Sequence, residues 1–198
     1  MKKKTHLKLG AALLAMSATL PYTAHAAELS YTNAHLGYQM MTGDGSFDGF
    51  VVKGSFQITD DFYLAASYDE LEDSGITQEV MTLRGGMRFA VDDKLDLYGE
   101  VGLARAKMEV EVSDWFGSYS ASTSETGFQL EGGARMLLTD SLEGRAYLRH
   151  VSIDNYDENF LGAEGAFSVT DQISVVGGIS RLFDASEFLL DVGVRYAF

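Results

Sequence analysis

The chain has 198 residues, 46% of them hydrophobic and 22% charged, with a formal net charge of −14 and no cysteine. Such acidity excludes a nucleic-acid-binding surface, whose electrostatic footprint is basic, and the absence of cysteine leaves disulfides no part in holding the fold. Mean hydropathy is −0.03, a value shared by soluble domains and by barrels that meet lipid at every second residue, so the pattern along the chain has to decide.

The first segment is a targeting signal by pattern. Lys2, Lys3, Lys4 and Lys8 form a positive head, an apolar stretch runs from Leu9 to Leu20, and Ala24-His25-Ala26 is a small-x-small cleavage site. This predicts a Sec-type signal peptide over 1–26 and one domain over 27–198. Cleavage removes four lysines and no acid, so the remainder is more acidic still. It also removes Pro21, the only proline, leaving a chain in which no residue lacks the backbone donor that strand pairing needs. Beyond Ala26 no run of eighteen apolar residues occurs, which excludes a transmembrane helix but not a membrane strand.

From there the period is two. After Ala34 to Met40, the segment 50–58 alternates Phe50, Val52, Phe56 and Ile58 with Val51, Lys53, Ser55 and Gln57. Further alternating segments cover 62–69, 80–89, 95–103, 126–138, 142–150, 161–169, 173–180 and 188–198, ten strands in all, with eight as the alternative. Four short connections are near copies: "ITDDF" at 58–62, "VDDKL" at 91–95, "LTDSL" at 138–142 and "VTDQI" at 169–173. Aspartate suits such turns because its carboxylate accepts from nearby backbone N–H groups. Four tight turns alternating with five more variable loops describe an antiparallel up-and-down barrel with both termini at one end.

The polar face chooses among all-β architectures. It carries Lys53, Arg84, Arg88, Glu100, Glu131, Arg135, Glu143, Arg145, Arg149, Glu164, Asp191 and Arg195, while the apolar face carries Phe, Leu, Met and Val. A soluble sandwich would bury its apolar face and wet its polar one. A mixture of both signs able to pair with itself instead predicts a transmembrane β-barrel with lipid outside and a charged, filled lumen, too narrow at ten strands for a wide channel.

The signal "LAMSATLPYTAHA", the "LTDSL"-type turns and the ending "VGVRYAF" together resemble the small, porin-like outer-membrane β-barrel domain proteins of Gram-negative bacteria. The resemblance covers essentially all of 28–198. It implies an integral protein of the outer membrane, a monomer among outer-membrane lipid and lipopolysaccharide. By the same resemblance Val192, Val194, Tyr196 and Phe198 would be read by the barrel-assembly machinery. Activity is not implied, because one fold hosts many functions.

Chemistry-bearing residues are few. After the signal the histidines are His35 and His150. In "YLRHVSIDN", His150 and Ser152 share one strand face, where a base could serve a hydroxyl. The pair resembles the His-x-Ser element of barrel lipid A deacylases, with Asp154 or Glu164 as the candidate acid, but Ile153 stands where that element has asparagine. An interfacial histidine is the plainer reading. Aspartate–histidine protease chemistry would draw on Asp154, Asp157 and Glu158, which form no motif. With Asp44, Asp48, Glu70, Glu72 and Asp73 they make an acidic rim without calcium-loop spacing, so no metal or cofactor is expected. After Leu103 the apolar positions change parity to Met108, Val110 and Val112, and a loop with Trp115, Phe116 and Tyr119 follows. These aromatics are candidates for contacting an extracellular protein ligand. The sequence therefore predicts a non-enzymatic outer-membrane barrel for surface binding or envelope integrity, with a lipid A hydrolase or a narrow pore as alternatives.

Overall fold

The computed structural model describes residues 29–198 except 44, 45, 115, 116, 155 and 184–186, with side chains undescribed also at 46 and 111–119. The predicted signal therefore lies outside the described residues. The strands are β1 (Asn33–Thr42), β2 (Ser46–Gln57), β3 (Phe62–Asp73), β4 (Ile76–Ala90), β5 (Leu95–Asp114), β6 (Gly117–Thr139), β7 (Leu142–Ile153), β8 (Tyr156–Ser168), β9 (Ile173–Leu182) and β10 (Phe188–Ala197). Each pairs antiparallel with its sequence neighbours, and β1 pairs with β10 to close the barrel. Ten strands stand, so the eight-strand alternative falls away.

Closure explains the alternating C-terminus. β10 runs along β1 from Asn33↔Ala197 to Thr42↔Phe188, and Phe198 N donates to Thr32 O at 3.1 Å. Val192 and Tyr196 face outward and exposed, while Asp191 and Arg195 face the lumen. Over the length that closes, the sheet has no edge left to pair with another chain.

The tight turns form as predicted, by a partly different residue. Ile58, Val91 and Val169 each donate to a carbonyl four residues on, at 2.8 Å. In "ITDDF" the cap is Thr59, whose Oγ1 accepts from Phe62 N at 3.1 Å, and in "VTDQI" Thr170 accepts from Ile173 N at 3.0 Å. Only where threonine is missing, in "VDDKL", does Asp92 Oδ1 take Lys94 N and Leu95 N at 2.8 and 2.9 Å. The hydroxyl, one residue nearer the strand, reaches the closing amide first.

β5 and β6 outgrow the rest, at 20 and 23 residues. Their mutual pairing is unbroken from Leu95↔Met136 to Asp114↔Gly117. The change of apolar parity after Leu103 is therefore not a slip of register. Val101 and Leu103 point outward, and so do Arg105 and Lys107 further up the same face.

Candidate functional site

The lumen is built around two buried carboxylates. Glu131 on β6 receives Arg149 Nε at 2.7 Å, a contact from Arg145, and Arg84 Nη1 at 3.9 Å. Tyr98 OH donates to the same carboxylate at 2.8 Å and accepts from Arg145 Nε at 2.7 Å. Glu143 on β7 holds Arg135 at 2.9 Å and Arg195 at 2.5 Å. Around these, Arg84 reaches Glu100 at 2.9 Å and Arg88 reaches Asp96 at 3.3 Å. Lys53 lies 3.5 Å from Asp191 and 3.9 Å from Glu164. The twelve charged residues of the polar face thus come together inside one wall, in pairs whose partners come mostly from different strands. Burying such charges is costly unless each is paired and hydrogen-bonded, which is what the cross-strand arrangement supplies.

Charge alone misses several members of this interior. His35 is buried with Nε2 3.3 Å from Asp191 Oδ1, close enough for an ion pair although the two are not aligned for a hydrogen bond. Tyr63 OH donates to Glu100 at 2.8 Å. Tyr63, Tyr98 and His35 occupy the same strand parity as the charges, so alternation carried their signal. Tyr31 gave none, because it precedes the first strand. Its ring is 2% exposed and sits 4.7 Å from the Tyr63 ring, with the guanidinium of Arg135 4.3 Å above it and that of Arg88 at 5.4 Å. Arg135 also donates twice to Ser30 O at 3.2 Å. Residues 30 and 31 are thereby fastened into the tight-turn end of the barrel. A cavity beside Tyr31 and His35 measures about 80 Å³.

On the outward face His150 and Ser152 are neighbours along β7, as two-residue spacing requires. His150 Nδ1 is engaged by Asn159 Oδ1 at 3.0 Å, and its ring lies 5.8 Å from Phe128. Among the described residues no hydrogen bond joins Ser152 to His150. Glu164 faces the lumen near Lys53, so the wall separates it from the histidine. Asp157 stands opposite Ser152 in register on β8.

The acidic rim is not uniform. Glu158 is fully buried rather than a loop carboxylate. Asp48 accepts from Tyr38 OH and Glu70 from Tyr68 OH, both at 2.6 Å. Asp44 lies outside the described residues, and among those described no group of acids and histidines forms a metal site.

At the opposite end from Tyr31, the β5–β6 hairpin rises past its neighbours. β6–β7 pairing starts at Phe128↔Ser152, whereas β6 has already paired with β5 from Gly117 onward. Among the described residues, 117–126 of β6 therefore present an edge with no paired strand on the β7 side, while Gly127 still lies against Ser152 and Ile153. Ser120 to Thr126 are all exposed. On the outward face Lys107 sits between Glu79 at 3.2 Å and Glu109 at 3.0 Å, and these two carboxylates hold its ammonium above its ordinary range. Trp115 and Phe116 lie outside the described residues, as does the Tyr119 side chain.

Comparison with known proteins comes from sequence and from fold. The profile of the outer membrane protein beta-barrel domain matches residues 9–168. No curated protein matches the sequence. Among solved structures, the NanC porin superposes with a TM-score of 0.53 at 9% identity, over 84% of this chain and 100% of that one. The attachment invasion locus protein Ail of Yersinia pestis gives 0.45 at 16% identity, over 84% and 100%. Neisserial surface protein A gives 0.45 at 13%, over 84% and 96%.

Proposed function

Since the chain belongs to the outer membrane protein beta-barrel domain family, we propose that it is a non-enzymatic surface-binding barrel whose binding element is the free edge of β6. The protein is integral to the outer membrane, and its outward apolar wall meets lipid. At the hairpin end the β5–β6 strand pair reaches far beyond its neighbours, as the extracellular hairpins of such barrels do. What carries the reading is the edge at 117–126, left bare where β7 ends. Sheet proteins normally blunt an exposed edge with lysine, proline or a bulge. Residues 117–126, "GSYSASTSET", contain neither lysine nor proline, and no register shift interrupts their pairing. Such an edge suits addition of an extended segment from another protein, with main-chain hydrogen bonds giving affinity. Trp115, Phe116 and Tyr119, at the tip in sequence, would supply the apolar contacts.

The lumen supports the same reading against a pore. Arg195 on β10 reaches Glu143 on β7 and Lys53 on β2 reaches Glu164 on β8 across the interior, and Tyr31 is wedged at one mouth. The plain role of the network is to hold the wall rigid beneath the hairpin.

Cells displaying the wild type are compared with cells displaying Ser120→Lys/Ser122→Lys on a panel of immobilised extracellular proteins. The new lysines lie opposite Glu111 and Glu109 in register, so the hairpin should persist while its edge is blocked. Binding by the wild type that falls at least tenfold in the variant is expected; equal binding by both would refute the edge. Lipid A mass spectra of the same cells should be identical with and without the barrel. A lost acyl chain that depends on Ser152 would establish the hydrolase instead.

A further inference from the structure

Three outward positions on adjacent strands hold glycine where the neighbouring outward positions hold large apolar side chains. Gly99 on β5 stands opposite Gly132 on β6, and Gly85 on β4 stands opposite Val101, one outward position from Gly99. They floor a trough of about 840 Å³ on the lipid-facing wall, within the range of small-ligand sites. Leu64, Met87, Leu130 and Leu148 stand along its sides. It runs from Phe62, near the tight-turn end, to His150 and Asn159 near the loop end.

The barrel itself does not require these glycines. A Cβ at Gly85 would meet nothing within 4 Å, and at Gly99 and Gly132 it would meet only a carbonyl oxygen, at 3.9 and 3.8 Å. Inward-facing Gly102 and Gly133 are different, since a Cβ there would come within 2.1 and 2.3 Å of a carbonyl oxygen. Glycine inside a strand weakens it, and often marks the close approach of something else; here the three border an open trough, which Gly165 does not.

We propose that the trough seats one acyl chain of a lipid A-type glycolipid of the outer leaflet. The wall around the trough meets hydrocarbon, so its occupant is apolar. The His150–Asn159 pair, hydrogen-bonded at 3.0 Å, lies only at the loop end, where a headgroup would begin. A chain entering there belongs to the outer leaflet, not the inner one. Higher on the same outward face is Arg105, whose guanidinium bonds Ser124 Oγ at 3.2 Å and makes no ion pair among the described residues. It offers a phosphate group a charge-assisted partner. A second barrel would need a smooth small-residue surface for close approach, and the flanking Leu and Met side chains deny it one.

Full-length barrel extracted from outer membranes in mild detergent is examined by native mass spectrometry. The wild type is expected to carry one glycolipid, with occupancy at least tenfold lower in Gly99→Leu/Gly132→Leu. Gly165→Leu, also outward with nothing within 4 Å of its Cβ but outside the trough, should leave occupancy unchanged. Equal occupancy in the filled variant, phospholipid in the glycolipid's place, or a dimer free of lipid overturns the proposal. Should the double variant not fold, the wild type is placed in phosphatidylethanolamine vesicles containing lipid A with a photoreactive acyl chain. Cross-links concentrated on the peptides holding Gly99 and Gly132 support the site, and even labelling around the barrel overturns it.

Discussion

β5 and β6 pass through two environments without changing register, and each half of the pair is patterned for its own. In the lower half Leu97, Val101, Leu103, Phe128 and Leu130 face outward and exposed, while Tyr98, Glu100 and Glu131 are buried in the lumen. In the upper half the outward face holds Arg105 bonded to Ser124, and Lys107 between two glutamates. The opposite face of that half bears Ala106, Met108 and Val110, paired with Val80, Gln78 and Ile76. The same side-chain direction is thus apolar where it meets lipid and charged where it meets water. On the outward face polarity follows the solvent, while pairing follows the backbone; on the opposite face Met108 and Val110 stay apolar and exposed. The inversion between Leu103 and Arg105 marks the outer boundary of the bilayer on these strands.

The lower half should break most severely from within. Glu131→Leu removes the carboxylate on which Arg145, Arg149 and Tyr98 converge. Breaking a buried ion pair from one side leaves uncompensated charge, at a cost of about 3–5 kcal/mol. Urea unfolding in lipid vesicles measures it, and a loss below about 1 kcal/mol would mean that water reaches those arginines and that the lumen is not filled.

The boundary itself is tested by placing one cation on either side of it. Val101→Arg, near mid-depth on the lipid face, should cost about 2–4 kcal/mol. Ser122→Arg, outward on β6 and opposite Glu109 in register, should leave the unfolding midpoint where it was. Equal costs at the two positions would show that the hairpin does not leave the bilayer where the pattern inverts.

That inversion was visible in the sequence, as were the ten strands and the charged interior, because period two records which side of a strand meets which medium. What alternation could not carry is contact between strands far apart in the chain. The four residues gathered around Glu131 come from β4, β5 and β7, a convergence set by barrel closure. Tyr31 was illegible for another reason: it acts from an irregular segment, where no period exists. The turns were located correctly from aspartate, yet threonine closes two of them, since both residues favour turns and only geometry separates them. At His150 the spacing put the hydroxyl on the right face, but Asn159, nine residues on, holds the ring.

The smallest effect belongs to Lys107, the charged feature most conspicuous above the boundary. Its two carboxylate partners raise its pKa from the ordinary 10.5. A group whose pKa is higher folded than unfolded contributes its full stabilisation below the unfolded value and loses it as pH climbs through the folded one. Any contribution from Lys107 is therefore constant from pH 5 to 9 and declines only in strong alkali. Exposed pairs of this kind contribute little, because solvent and salt screen them and two long side chains must be ordered. Lys107→Ala should accordingly unfold at the same urea concentration as the wild type throughout that range. A distinct shift that disappears at high salt would mean that the hairpin's outward face is drier than its exposure indicates, and would move the boundary upward from Arg105.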